Sequence, residues 1–207
     1  TGIVSSRNGR VRFSGGGSYT TFNLNEGTVS LGANNGLCPD TALVMSGSGA
    51  GTLDLNGFNQ TLTGLSDGAT NPELVTNSAA TPGTLTLNLS AGGTFGGVIA
   101  GNLALVQNGS GSMLLSGTNA YTGNTTVNGG TLEIAQPTLA RNSTVTVAGG
   151  AFLQLDFAET NQVSGLVLNG ASQPLGVYNS TTSPSYITGP GSLQVVSAVA
   201  TNPTNIV

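Results

Sequence analysis

A five-residue motif recurs along this chain and restricts its possible folds more than any other feature. The motif is glycine, threonine or serine, an apolar residue, any residue and a second apolar residue. Six copies occur: GTVSL at 27–31, GTLDL at 51–55, GTLTL at 83–87, GSMLL at 111–115, GTLEI at 130–134 and GSLQV at 191–195. STVTV at 143–147 and GLVL at 165–168 are shorter echoes. Because the copies lie roughly 20 to 30 residues apart, the chain is predicted to repeat one small structural unit.

Within each copy, apolar and polar residues alternate, which is the period of a half-buried strand. The apolar members are predicted to share the inward face, while threonine, aspartate and serine point outward between them. Glycine pairs at 129–130 and 149–150 adjoin these strands and are typical of tight corners. The predicted stacked core consists of Leu53, Leu55, Leu85, Leu87, Met113, Leu115, Leu132, Ile134, Val145 and Val147.

Short repeated strands separated by glycine and asparagine turns suit a β-sandwich, a β-barrel or a β-solenoid. A sandwich has no need of self-similar strands, whereas a solenoid stacks equal positions on successive coils. The repetition therefore favours an all-β solenoid. At roughly 20 to 25 residues per coil, the 207 residues predict about eight to ten irregular coils, in a rod about 40 to 50 Å long.

The scarcity of charge excludes several functions. Only 6% of the residues are charged, the chain has no histidine, and its four basic residues are all arginine: Arg7, Arg10, Arg12 and Arg141. Without lysine or histidine there is no Schiff-base lysine, no Ser-His-Asp triad and no histidine-ligated metal. A pI near 4.3 argues against binding to nucleic acid. We therefore expect no cofactor and no metal.

Residues 103–134 carry a longer and more specific pattern. An apolar strand is followed at 116–132 by SGTNAYTGNTTVNGGTL, and residues 43–65 contain the related core LDLNGFNQT. These segments resemble the autotransporter-associated β-strand repeat, with similar flanking stretches at 77–100 and 151–196. The resemblance covers roughly three-quarters of the chain.

The resemblance implies a right-handed parallel β-helix in a secreted or surface-exposed bacterial protein, without catalytic activity. Such repeats usually belong to much longer chains. Residues 197–207 are similar to a linker that leads into another domain, so we expect the chain to be a fragment or a processed product. Residues 23–196 are expected to form the solenoid body.

A parallel β-helix also raises the alternative of a polysaccharide-degrading enzyme, which would need clustered carboxylates. Asp156 and Glu159 are close in the sequence, and Asp54 is expected on an outward face. The simpler interpretation is that all three are solvated. Tyr121 is expected to cover a corner, and Cys38 to be a small half-buried residue, or else to form an intermolecular disulfide.

Residues 1–22 differ from the rest because they hold three of the four arginines. In RVRF, Arg10 and Arg12 alternate with Val11 and Phe13 before a glycine- and serine-rich run. One interpretation is a strand donated to a neighbouring subunit; the other is an ordinary first coil that covers the end of its own molecule. Neither end of the chain contains a helical or charged cap, and bare solenoid ends expose unpaired backbone that can associate.

These patterns support three hypotheses about function. The first is a non-enzymatic subunit of an extracellular or cell-surface fibre, which assembles head to tail with copies of itself through its solenoid ends and N-terminal strand. The second is an adhesin stalk that binds surface glycans, and the third is the polysaccharide-degrading enzyme. The expected location is secreted, extracellular or at the cell surface, and no stretch is apolar enough to span a membrane.

Overall fold

A computed structural model describes residues 2–4, 9–15, 17, 19–47, 49–68 and 73–197, with the backbone alone for 2–4. The described residues form strands and turns, and none of them lies in a helix long and apolar enough to cross a membrane. Residues 198–207 of the tail predicted at 197–207 lie outside the described residues, as does Arg7.

The described residues form twenty-five short strands, which follow one another along the chain. In the first half they are β1 (Gly2–Val4), β2 (Arg10–Phe13), β3 (Thr21–Leu24), β4 (Gly27–Leu31), β5 (Ala42–Met45), β6 (Gly51–Asp54), β7 (Gln60–Leu62), β8 (Gly64–Asp67), β9 (Leu74–Asn77), β10 (Gly83–Leu87), β11 (Gly93–Phe95), β12 (Val98–Gly101) and β13 (Leu103–Gln107). In the second half they are β14 (Ser112–Leu115), β15 (Ala120–Tyr121), β16 (Thr125–Val127), β17 (Thr131–Ile134), β18 (Thr144–Val147), β19 (Phe152–Leu155), β20 (Thr160–Val163), β21 (Gly165–Leu168), β22 (Ala171–Ser172), β23 (Gly176–Asn179), β24 (Ile187–Thr188) and β25 (Ser192–Val195).

The strands stack on three faces of a β-solenoid. Face A contains the sheets β1-β3-β5-β8 and β11-β14-β17-β19-β24, and β8 contacts β11. Face B contains β2-β4-β6-β9-β12-β15, and face C contains β7-β10-β13-β16-β18-β21-β22. The separate sheet β20-β25-β23 is assigned to face B because β20 follows β19 of face A and precedes β21 of face C.

From β6 to β16 the strands occupy B, C and A in turn; before β6 the described strands alternate between A and B, and β17 on face A is followed directly by β18 on face C. The solenoid makes about seven turns. The predicted β-solenoid is confirmed, whereas its right-handed sense stays a prediction. The turns number about seven and not the eight to ten predicted, partly because residues 171–186 cover the C-terminal end without adding a coil.

Inward residues stack in columns because successive coils pair in parallel. On face C, Leu85 pairs with Leu105, and the column continues to Thr125, Val145 and Leu166. All of these side chains are buried. The ten residues predicted for the stacked core are also all buried. One apolar core therefore runs along the axis of the solenoid.

The sequence pattern suggested that the motif copies stack in a single column, but they do not. Copies in β4, β6 and β25 lie on face B, those in β10, β18 and β21 on face C, and those in β14 and β17 on face A. The physical reason is that every turn has three corners, and each corner is followed by a strand with the same inward-outward alternation. One local pattern therefore fits all three faces.

Both ends have partial covers that differ from helical or charged caps. At the C-terminal end, β22 pairs antiparallel with β21, and β23 pairs antiparallel with β25. Residues 171–186, which follow the turn of the β21–β22 hairpin and are called the C-terminal hairpin below, therefore cover two sheet edges. At the other end, the edge of β7 is covered by residues 34–37. There the Gln60 side chain accepts a bond from Leu37 N at 3.0 Å and donates one to Leu37 O at 3.1 Å. In faces A and B, β1 and β2 remain the edge strands.

Candidate functional site

The predicted inter-subunit strand forms β2 and lies on its own chain. It pairs in parallel with β4, with Val11 opposite Val29 and Phe13 opposite Leu31. The Phe13 ring meets Phe22 edge to face, with 5.3 Å between ring centroids. This arrangement matches the second interpretation of the strand, an ordinary first coil. Its use against a neighbouring molecule stays a prediction.

Arg10 holds β2 to the third coil through a carboxylate. Its Nη2 lies 2.5 Å from Asp54 Oδ2 and donates to Ser30 Oγ at 3.1 Å. Asp54 also accepts bonds from Asn56 N at 3.0 Å, and from Ser78 Oγ and N at 2.8 and 3.1 Å. The Asp54 side chain is 5% exposed and is therefore covered. The sequence had suggested that it is solvated. These partners make Asp54 a structural carboxylate.

Face A carries an acidic groove of about 500 Å³ on its outer surface. Asp67 and Glu133 line it together with hydroxyl-bearing residues and Leu114. Asp67 ends β8 and Glu133 lies on β17, three strands further along face A. At about 4.8 Å per strand the backbone positions of the two residues are about 14 Å apart. The two carboxyl groups therefore line one groove from different coils.

The predicted carboxylates Asp156 and Glu159 lie at the corner after β19 and are exposed. Asp156 accepts bonds from Gln154 Nε2 at 3.1 Å. Burial, followed by the neighbouring Asp156, raises the pKa of Glu133 above its usual value. Glu133 and Asp156 therefore interact with each other. The described residues contain no group of three acidic, histidine or cysteine side chains that could hold a metal.

Two further residues singled out in the sequence, Tyr121 and Cys38, make contacts within the solenoid. Tyr121 ends β15 and is buried, and its hydroxyl lies 2.8 Å from Thr125 Oγ1. Burial raises its pKa to about 12. Because the ring is only 2% exposed, it cannot serve as a surface platform for sugars. Cys38 is half-buried with a free thiol, and its N donates to Tyr19 Oη at 3.3 Å. An intermolecular disulfide stays a prediction.

Neutral side chains connect successive coils along the outer surface. Asn34 Oδ1 accepts a bond from Asn59 N, and Asn59 Oδ1 accepts one from Thr84 N, both at 2.9 Å. On face B, Gln162 and Gln194 are joined at 3.0 Å. Such ladders replace the like-charge rows that parallel stacking would bring within about 4.8 Å of each other. The outer surface therefore offers hydrogen-bonding groups with little charge.

The hairpin at 171–186 forms a pocket that the sequence reasoning missed. The pocket occupies about 450 Å³ and is lined by Leu168, Asn169, Ala171, Gln173 and residues 182–186. Asn169 and Gly170 have φ of 47° and 81° and connect β21 to β22 as a two-residue turn. Asn-Gly between two strands is a strong signal for such a hairpin, so this feature was open to prediction.

Residues 105–134, from within β13 to the end of β17, match a family model described as passenger-associated-transport-repeat. A curated relative is the Adhesin BmaC autotransporter of Brucella suis biovar 1 (strain 1330), which is 35% identical over 113 residues. The aligned region is 53% of this chain but 3% of that protein, so the chain spans a small part of its relative. No solved structure matches.

The matched segment coincides with the part of the chain that carries the longest sequence pattern, at 116–132. The repeat and the relative indicate a secreted protein of the bacterial cell surface. Together with the parallel β-solenoid, they fit an autotransporter passenger β-repeat protein, to which the chain is similar over these segments.

Proposed function

We propose that the chain is a non-enzymatic structural module of an extracellular or cell-surface fibre, and that its ends contact copies of itself. The observation that carries the proposal is the apolar core of the described residues together with the edge strands β1 and β2, which begin two of the sheets around it. An edge strand presents unpaired backbone groups, and a stacked neighbour is the partner that fits them best.

The N-terminal end has the exposure expected of a contact surface. Val11 and Phe13 point toward the core side of β2 but are half-buried, whereas their partners Val29 and Leu31 on β4 are fully buried. Tyr19, also half-buried, packs beside Phe22 at this end. A further coil over this cluster would remove apolar area from water, which favours association by about 25 cal/mol per Å².

The C-terminal end offers a complementary edge on the same face. There β23 is the outer strand of the sheet β20-β25-β23. Two large apolar residues at this end are exposed, Leu175 by 67% and Val177 by 46%. In a head-to-tail contact, β2 of one copy would meet β23 of the next on face B. A contact of this heterologous kind propagates into a filament unless its rotation closes a ring.

Electron microscopy and light scattering of the purified full chain over a range of concentrations test this proposal. We expect end-to-end filaments. Val177→Lys should shorten or abolish them because it places a charge at the contact, whereas Ala91→Lys, at an exposed corner of the side wall, should leave them intact. Uniform monomers at high concentration would overturn the assembly proposal.

Removal of residues 1–13 tests the role of β2 separately. If β2 forms the contact, the shortened chain should remain monomeric while it keeps a β-rich circular dichroism spectrum. Filaments unchanged by the truncation would reject the N-terminal strand as the contact. Because the truncation also removes the partner of Asp54, the Val177→Lys variant provides the test that keeps both ends of the full chain.

The second candidate function is an adhesin-like stalk that binds surface glycans. Two observations favour it: the relative is an adhesin, and the outer surface carries neutral ladders of asparagine, threonine and glutamine. Attachment of cells or beads that display the chain to glycan-coated surfaces would support this function. Polysaccharide cleavage that is lost in Asp156→Asn or Glu159→Gln would instead favour an enzyme.

A further inference from the structure

We propose that the pocket between the C-terminal hairpin and the corner after β21 binds a neutral saccharide. The proposal rests on the second candidate function, an adhesin-like module, and assigns its binding site and class of ligand. The pocket volume of about 450 Å³ is within the range of about 300 to 1,000 Å³ typical of small-molecule sites.

The walls of the pocket come from two parts of the chain. Leu168, Asn169 and Ala171 lie at the end of β21 and the start of β22, and residues 182–186 lie opposite them, before β24. The core side of this region is fixed, because Leu168 is 6% exposed and Tyr186 packs partly against the core. A ligand would therefore sit between the solenoid itself and the returning arm of the hairpin.

Local hydrogen bonds order the returning arm without a ligand. Asn179 Oδ1 accepts bonds from Thr181 N at 2.9 Å and from Thr182 N at 3.0 Å, and Ser183 N donates to Asn179 O at 2.8 Å. Tyr178 Oη donates to Pro174 O at 2.9 Å across the hairpin. A preformed wall lowers the entropy that binding must remove, which favours affinity.

Three polar side chains on the pocket wall have no side-chain hydrogen bond within residues 168–186, all of which the structure describes. They are the amide of Asn169, the hydroxyl of Ser185 and the phenol of Tyr186. Each of these groups can both donate and accept, which is the pattern that sugar hydroxyls require. Asn169 and Ser185 are exposed and Tyr186 is half-buried, so a ligand in this pocket can reach these groups.

The rest of the lining selects the class of ligand. No Asp, Glu or Arg lines the pocket, so an anionic or cationic ligand would lose hydration without gaining an opposite charge. Ala171 and Pro184 are exposed and add apolar surface to the pocket that Tyr186 also lines. A sugar without charge presents apolar C–H faces together with hydroxyl groups, and so matches both parts of this lining.

An array of immobilised neutral oligosaccharides, probed with the full chain, tests the proposal. Ser185→Ala and Asn169→Gly should each weaken the strongest binding about threefold to tenfold, the effect of one hydrogen bond. Glycine tolerates the φ of 47° at position 169, so the second variant retains the turn. Ser90→Ala, at an exposed corner far along the chain, is the matched control and should bind like the parent.

The outcomes separate the pocket from the broader adhesin function. The site is supported if both pocket variants weaken binding and the control Ser90→Ala does not. If the parent binds neutral sugars but both variants bind equally well, the pocket assignment is overturned and the adhesin function survives. If the chain binds only charged glycans, or attaches cells without binding any neutral sugar, the proposed ligand class is wrong. Tyr186→Phe, which keeps the ring, should fall between the parent and Ser185→Ala.

Discussion

Glycine at the corners decides how closely successive coils can stack. At Gly109, an added Cβ would overlap the carbonyl oxygen of Leu89 on the preceding coil, and Gly117 stands in the same relation to Gly97. The limit at these positions is backbone against backbone, so no side-chain movement can relieve it. The high glycine content thus follows from close coil-to-coil approach as well as from turn geometry.

A pair of alanine substitutions tests this explanation. Gly109→Ala should lower the free energy of unfolding by about 2 kcal/mol or more, since overpacking of this kind forces the backbone to move. Gly92→Ala is the matched control, because its Cβ would lie 3.9 Å from the nearest atom, Ser112 O. We expect it to change stability by less than about 0.5 kcal/mol. Equal urea midpoints for the two variants would contradict the explanation.

Among single residues, the sequence predicted burial better than it predicted polar partners. Alternation placed Leu85 and Val145 inward, and both are buried. Asp54 was expected to be solvated, yet it is enclosed by Arg10 and Ser78, which come from coils on either side. Alternation states which side of a strand a residue occupies. It says nothing of which side chains from other coils fold over that residue.

At the scale of elements, β2 is held both by strand pairing and by one ion pair across two coils. Arg10→Met removes that ion pair and leaves the covered Asp54 carboxylate without its cation. Because the Arg10 side chain is 59% exposed, we expect a cost of only about 1 to 2 kcal/mol. Amide hydrogen exchange should accelerate at 10–13 and 27–31 and stay unchanged beyond β9.

Arg12→Met is the control for this prediction. Arg12 lies on the same strand and is exposed, and the described residues contain no acidic partner for it. It should leave both stability and exchange at 10–13 close to those of the parent. If Arg10→Met and Arg12→Met behave alike, the ion pair is not what anchors the first coil.

The two strands of the C-terminal hairpin, β22 and β23, were not predicted from the sequence. Its Asn169-Gly170 turn is a local signal, but β22 is only two residues long and β23 begins with glycine. Neither strand carries the repeated motif. Their strand conformation depends on pairing with β21 and β25, which are already in place. Such strands follow from an available edge rather than from their own alternation.

For the whole molecule, buried carboxyls determine the expected response to pH. Glu73 is fully buried, its Oε2 accepts a bond from Gly51 N at 2.5 Å, and its Oε1 has no partner among the described residues. Burial raises the pKa of Glu73 above the ordinary value of 4.5, and Asp67 adds to the effect. The pKa of Glu133 is raised in the same direction.

A carboxyl with a raised pKa in the folded state binds its proton more tightly when the protein is folded. Its stabilising contribution is therefore complete below the unfolded value near 4.5 and is lost as the pH rises through the folded pKa. We expect the melting temperature to be higher at pH 4 than at pH 7. Glu73→Gln should reduce this difference, whereas Glu159→Gln, at an exposed position, should not. An identical pH dependence in parent and Glu73→Gln would exclude this role for Glu73.

The sequence by itself determined that the chain is all-β, that its strands alternate, that its core is aliphatic and that histidine and lysine chemistry is absent. These properties follow from residue identity and from periods of two, which are local. Only the tertiary structure decided which of three faces each motif copy occupies, how Arg10 reaches Asp54, and how the hairpin at 171–186 covers two edges and forms a pocket. The physical reason is that face assignment and the contact of Arg10 with Asp54 depend on the number of residues in every intervening corner, while β22 and β23 need the edges of β21 and β25 to pair with.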